Sequence, residues 1–237
     1  MARIQITRVD MPREGAPLRF AVITDLHRQS PALVAARVKE CRPDAVLIVG
    51  DLMETPPRRK KPSCERGLSL LRRLRRAGYA VFYSPGNHDA TLPVSVREVL
   101  AEMGVQYLAD DHTVFRGIRI GGLSSAYYWN GRIPDTDFLA RFAALDGYKL
   151  LLCHHPEYYP TYLSGLPIDC IVAGHAHGGQ WQLFGRGIYS PGQGLFPRYT
   201  GGVYDGRLVV SRGVGDSVII PRFQNPREIL LLTVGRG

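Results

Sequence analysis

The chain has 237 residues, is 45% hydrophobic, and carries 30 lysines and arginines against 21 acidic residues, for a formal charge of +9. That length and apolar content suffice for one sizeable core and predict a single domain over residues 1–237; the longest apolar runs are strand-sized, short of the roughly 20 residues that cross a bilayer. The positive charge suits anionic partners, whether phosphorylated metabolites, anionic lipid or nucleic acid, without choosing among them.

In chain order, Met1–Arg8 interleaves charged and apolar residues and lacks the apolar block of a secretion signal. The expected setting is therefore cytoplasmic. Arg19–Thr24 reads as a strand that ends at Asp25. Pro31–Glu40 reads as a helix, with proline in its first turn and Leu33, Val34 and Val38 as its apolar positions. The strand Ala45–Val49 runs into Gly50-Asp51, and the helix Glu65–Ala77 puts Leu68, Leu71 and Leu74 on one face before the cap at Gly78. The strand Tyr79–Ser84 runs into Pro85-Gly86-Asn87-His88, and the helix Pro93–Met103 stops at Gly104. Asp135–Leu145 is a fourth helix with Asp135 as its N-cap. The strand Lys149–Cys153 ends at His154-His155-Pro156, and Asp169–Ala173 ends at Gly174-His175. Past Gly178, glycines, prolines and short β-rich pieces dominate, with a hairpin over Val203–Leu208 and a last strand over Glu228–Val234. The order is βαβαβ first and mainly β later, which predicts two packed sheets with helices outside. Cys41, Cys64, Cys153 and Cys170 form no Cys-x-x-Cys pair, so four reduced, buried thiols are expected.

The informative feature is where polar residues fall. Open α/β sheets build their sites at the carboxyl ends of strands. Here those ends carry Asp25, His27, Asp51, Asn87, His154, His175 and His177, all of which can bind a metal. Any one alone is more often solvated or part of the scaffold; the whole series converging on one crevice by chance is improbable. His112, in Asp110-Asp111-His112, sits apart and reads as a loop residue.

Asp25-Leu26-His27, Gly50-Asp51, Gly86-Asn87-His88-Asp89, His154-His155-Pro156 and Gly174-His175-Ala176-His177 resemble, in order and spacing, the five motifs of calcineurin-like metallophosphoesterases. Gly174–Gln180, Tyr189-Ser190-Pro191, Val210–Gly215 and Pro226–Leu231 extend the resemblance to the branch of YkuE-type phosphoesterases and UDP-2,3-diacylglucosamine pyrophosphatases. The resemblance implies an α/β fold, a four-layer α/β/β/α sandwich of two mixed sheets flanked by helices. It also implies a hydrolase that attacks a phosphoester with a metal-bridging hydroxide. Asp25, His27 and His177 would complete one metal ion with a bridging Asp51, and Asn87, His154 and His175 the other. This mixed nitrogen and oxygen set suits divalent Mn, Fe, Zn or Co and disfavours calcium, and the family points to manganese. His88 would contact the phosphate and protonate the leaving oxygen. Asp89 either orients His88 or caps the following turn; His155 either touches substrate or is a supporting or exposed residue.

The implied substrate is a phosphorylated small molecule or lipid: a lipid-linked or nucleotide-linked phosphodiester or pyrophosphate. A nuclease, a general phosphomonoesterase and a non-catalytic scaffold of the same fold are the rivals. Arg58–Lys61, Arg72, Arg73, Arg75 and Arg76, with aromatics at Tyr127, Tyr128, Trp129, Tyr158, Tyr159, Tyr162 and Trp181, have two readings. They are solvated and packing residues, or they are a rim that meets the surface of an anionic membrane.

Overall fold

The computed structural model describes residues 4–55, 63–125, 133–216 and 221–235. The chain runs through β1 (Gln5–Met11), β2 (Leu18–Ile23), α1 (Pro31–Cys41), β3 (Ala45–Val49), α2 (Glu65–Arg76), β4 (Ala80–Ser84), α3 (Val94–Glu102), β5 (Gln106–Tyr107), β6 (Asp111–Phe115), β7 (Ile118–Gly122), α4 (Thr136–Ala143), β8 (Tyr148–Leu152) and β9 (Cys170–Ala173). Two short hairpins follow, β10 (Gln182–Leu183) with β11 (Arg186–Gly187) and β12 (Tyr189–Ser190) with β13 (Gly194–Leu195), then β14 (Gly202–Tyr204), β15 (Leu208–Val210) and β16 (Glu228–Val234).

Two six-stranded sheets result, in the orders β1-β16-β2-β3-β4-β5 and β14-β15-β9-β8-β7-β6. Both are mixed. The first is parallel except where β16 meets β2, and the second has antiparallel pairs at β6–β7 and β14–β15. Strand alternation sorts the side chains into three cores. In β3, Ala45, Leu47 and Val49 face a core between the sheets, while Val46 and Ile48 face α1 and α2. In β8, Leu150 and Leu152 enter the same central core, while Leu151 packs outward with Phe138 and Phe142 of α4. Helix, sheet, sheet, helix is therefore the layer order, and the expected four-layer sandwich is what the apolar patterning builds.

Local chemistry explains the helix ends. Ser30 accepts from the Leu33 backbone N–H at α1, and Asp135 accepts from Phe138 at 2.7 Å to cap α4. The hairpin β14–β15 turns at Asp205-Gly206, both with positive φ (49° and 67°), as a tight Asp-Gly turn requires. The strands and helices that were expected lie within two residues of their observed bounds; β1, β5, β6 and β7 were not among them. The four cysteines are free and buried. His112 is not a loop residue: it lies on β6 with its ring 5.9 Å from that of Phe142. Arg75 is not a solvated cation either, since it donates to the carbonyls of Met103 (2.7 Å) and Tyr79 (2.5 Å) and so ties α2 to its neighbours. Tyr158 and Tyr159 belong to the outer core beside α4 rather than to a rim. Arg58–Lys61 and Tyr127–Trp129 lie outside the described residues. Among the described residues no helix is long and apolar enough to cross a membrane.

Candidate metal centre

Five strands deliver the site. β2 leads to Asp25 and His27, β3 to Asp51, β4 to Asn87 and His88, β8 to His154 and His155, and β9 to His175 and His177. The chain turns sharply just past these ends. Asp25, His27, Asp51, His175 and His177 all have φ between 41° and 63°. Non-glycine residues seldom hold that region, and when they do it tends to be at functional sites. The turns resolve a conflict of spacing: His175 and His177 would diverge on a strand, yet both point into the site from a loop while Ala176 between them is buried in the core beside α4.

Glycines admit the close approach. At Gly50, with φ of 81°, a Cβ would fall 2.0 Å from His154 Nδ1. At Gly86 a Cβ would fall 2.3 Å from Asp51 Oδ1. No larger residue fits at either place without moving a site side chain.

Asp51 is central. Its Oδ2 lies 3.7 Å from His27 Nε2, and its Oδ1 lies 3.3 Å from His154 Nε2. Its two oxygens thus face two different groups of ligands. Around one, Asp25, His27 and His177 converge, with His177 Nε2 3.5 Å from Asp25 Oδ1. Around the other, His154 and His175 converge with Asp51. Asp25 Oδ1, His27 Nε2, His154 Nε2 and both side-chain atoms of Asn87 are buried without a hydrogen-bond partner among the described residues. Buried polar atoms normally have partners, so a cluster of orphans in one place is unfinished chemistry. Nitrogen and carboxylate donors with free lone pairs are what two adjacent divalent cations need, and the residues fit them.

The far side of each ring is fixed. His154 Nδ1 meets the Val49 carbonyl at 2.9 Å, and His27 Nδ1 meets Glu54 Oε1 at 2.9 Å. Each contact leaves the other ring nitrogen aimed at the centre. Glu54 does the same for His88, whose Nδ1 lies 2.8 Å from Oε2 and whose Nε2 lies 3.9 Å from Asp51 Oδ2. Sequence reading missed Glu54; the signal that could have found it is a carboxylate three residues after Asp51 in the same loop. Asp89, by contrast, accepts from the backbone N–H groups of Met53 (2.8 Å) and Gly86 (3.0 Å) and clamps two site loops together. His155 is buried, not exposed, between Ser125 Oγ (2.6 Å) and Glu157 Oε1 (3.1 Å). Arg222 was also missed. It pairs with Asp216 at 2.5 Å, comes within 3.4 Å of His177 Nδ1, and has a buried Nη1 without a partner among the described residues.

The charges are interlocked. Burial pushes Asp51 up, but His154, His88 and His27 outweigh it and hold the carboxyl well below its ordinary range. Burial likewise raises Glu54, and the hydrogen bonds from His27 and His88 overcome it and bring it to about 2. Burial lowers His154, but Asp51 and Asp25 reverse the effect and raise it to about 10. Burial pushes His177 down to about 4, against the pull of Asp25 and with help from His27 and Arg222. His175 is depressed well below its usual value by burial and by His155 and His154. Burial and the charge of Asp51 lift Asp89 to about 6.

The family profile described as calcineurin-like phosphoesterase matches residues 18–179. The chain is 28% identical over 201 residues to a transmembrane protein with metallophosphoesterase domain from Danio rerio, covering 74% of this chain and 45% of that protein. It is 25% identical to an uncharacterized metallophosphoesterase of Helicobacter pylori, covering 97% of this chain and 63% of the relative. It is 27% identical to the Bacillus subtilis metallophosphoesterase YkuE, over 85% of this chain and 71% of the relative. The chain thus spans 45% and 63% of the length of the first two of these relatives. Among solved structures, the phosphoesterase YfcE of E. coli aligns with a TM-score of 0.40 at 16% identity, over 81% of this chain and 77% of that one.

Proposed function

The chain belongs to the calcineurin-like phosphoesterase family, a family of metal-dependent hydrolases, and from that premise we propose that it hydrolyses a phosphodiester or pyrophosphate at a binuclear centre. The observation that carries the reading is the position of Asp51, with one oxygen toward His27 and the other toward His154. Asp25, His27, His177 and Asp51 would hold one cation; Asp51, Asn87, His154 and His175 would hold the second. Two such cations, manganese being our first choice, supply a nucleophile at neutral pH and offset the charge on the phosphoryl oxygens.

The chain's own residues supply the rest. His88, buried and gripped at Nδ1 by Glu54, presents Nε2 to the same space as Asp51 Oδ2. From there it donates a proton to the oxygen that leaves. Glu54, ionised across the neutral range, favours the protonated imidazole that this step requires. Arg222, whose Nη2 lies 3.4 Å from His177 Nδ1 and whose buried Nη1 has no hydrogen-bond partner among the described residues, adds positive charge where a phosphate would enter. The substrate class we favour is lipid-linked or nucleotide-linked, on the strength of the basic chain and the exposed apolar residues in the segment that follows His177.

The test is elemental analysis and turnover of an aryl phosphodiester, wild type beside Asp51→Asn, after loading with manganese. Both metal content and turnover should fall together in the variant. Full metal and full activity in Asp51→Asn would remove the bridging role and, with it, this reading.

A further inference from the structure

Past His177 the chain builds a surface unlike the rest of the molecule. Among the described residues, eleven large apolar side chains are exposed, and eight of them lie between Trp181 and Phe223. The hairpin β10–β11 carries Leu183 and Phe184 at its turn, and Leu195 and Phe196 end the hairpin β12–β13. Phe184 is fully exposed and Phe196 is 74% exposed. Both sit in left-handed backbone, at φ of 50° and 49°. A position that served only to turn the chain would favour glycine or asparagine; a bulky residue there is a genuine outlier. Two aromatics held in water on strained turns make a conspicuous apolar surface.

Cations border the same surface. A cleft of about 490 Å³ separates the hairpins, with Phe196 and Pro197 on its wall and Arg186, Arg198 and Arg212 in its lining. Arg212 is paired with Glu228 at 3.2 Å. Arg186 and Arg198 are exposed and have no acidic partner among the described residues. The hairpins also rest on the turn that follows His177 and on Glu157, which lies 3.7 Å from His175 Nε2. Ile188 donates to the carbonyl of Gly179, Gln182 Nε2 donates to that of Gly178, and a Cβ on Gly192 would fall 2.1 Å from Glu157 Oε1.

We propose that the two hairpins are a bilayer-docking lip: Phe184, Leu195 and Phe196 enter the acyl boundary of an anionic membrane while Arg186 and Arg198 take its lipid phosphates. Exposed apolar tips together with unpaired cations are the two signals that reversible membrane binding uses. A second copy of the chain is the weaker occupant, because it would bring the same arginines face to face on molecules that each carry +9. Docking in this manner brings lipid phosphates to hairpins that pack on the turn following His177. On the hydrolase reading given above, a lipid-linked phosphoester is the substrate so presented.

The experiment is co-sedimentation of the metal-loaded chain with vesicles of phosphatidylcholine alone or mixed with phosphatidylglycerol, at low and high salt. Wild type should pellet with the anionic vesicles, weakly with the neutral ones, and less as salt rises. Phe184→Asn with Phe196→Asn should weaken partition at least about tenfold, since asparagine keeps the left-handed turn while removing the apolar tip. Arg186→Gln with Arg198→Gln should weaken it similarly and flatten the salt dependence. Both double variants should hydrolyse a soluble aryl phosphodiester as wild type does, which shows that they fold. Absence of binding to anionic vesicles, or equal binding by wild type and both variants, would overturn the docking lip. So would a wild-type dimer in sedimentation velocity that the phenylalanine pair dissolves. Vesicle binding that tracks these variants in a chain inert toward every aryl phosphoester would uphold the lip and remove only the hydrolase reading.

Discussion

At the residue scale, the centre depends on a few side chains that hold others in place. His88 and His27 share one carboxylate, Glu54, through their Nδ1 atoms at 2.8 and 2.9 Å. His88→Ala should keep its metal, because Asp25, His27 and His177 still converge beside Asp51 even though His88 also lies within reach of His27 and Asp51, yet lose at least about a hundredfold in turnover. An aryl ester with a very acidic leaving group needs no proton and should recover part of that loss. Equal loss on both esters would make His88 a phosphate binder only. Glu54→Gln should behave differently. Its amide can accept from one imidazole but offers a donor to the other, so metal affinity and turnover should both fall, by about 10- to 100-fold. Metal titration and steady-state rates measured side by side separate the two variants. The strand-end residues Asp25, Asp51 and His154 were legible in the sequence because each follows an apolar run and belongs to a motif. Glu54 was not, since a carboxylate in a loop is by default solvated and only the fold reveals that two rings close over it.

At the element scale, strands buried on both faces announced themselves and edge strands did not. All five residues of β3 are buried, so the run Ala45–Val49 could be read directly. Gln5–Met11 mixes Arg8 and Asp10 with apolar residues because β1 is an outer strand with most of its length partly exposed, and so it passed unnoticed. β6 was missed for the same physical reason, since it ends its sheet and none of its five residues is fully buried; β7 is an interior strand, and it was missed because Arg119, Gly121 and Gly122 break its apolar run. What the elements contribute to the site is the tightness of their ends, and that can be tested at Gly50. Gly50→Ala would place a methyl 2.0 Å from His154 Nδ1 in a backbone with φ of 81°. The ring cannot retreat, because His154 is buried and tied to Val49. We expect a loss of about 1–3 kcal/mol in chemical denaturation, the usual cost of overpacking, with a disproportionate loss of the second cation. A variant as stable as wild type and with full metal content would show that the end of β3 is looser than its geometry implies.

At the scale of the whole molecule, two sheets bring opposite charges into one buried place, and the cations should settle the conflict. Asp51 comes from the first sheet and His154 from the second, and they meet at 3.3 Å. Burial opposes a charged His154, yet Asp51 and Asp25 raise it to about 10, so without a cation the ring keeps its proton at neutral pH. A ring that ligates must give that proton up, and metal binding must therefore release it. Loading the chelated protein in weak buffer near neutrality should liberate protons, and metal affinity should climb with pH until about 10. The sign for stability follows from the same shift. A pKa raised in the fold stabilises fully below the ordinary histidine value of about 6.5 and is lost as pH rises through the folded value. Between about 6.5 and 10 the chelated protein should therefore lose thermal stability. The loaded protein, whose His154 carries no proton to lose, should not. Cation binding adds its own stabilisation, about 2.7 kcal/mol at a free concentration a hundredfold above Kd. The gap in Tm between loaded and chelated protein should thus widen as pH rises across that interval. Parallel Tm profiles with no proton release would mean that His154 is already neutral and that Asp51 is held by other groups.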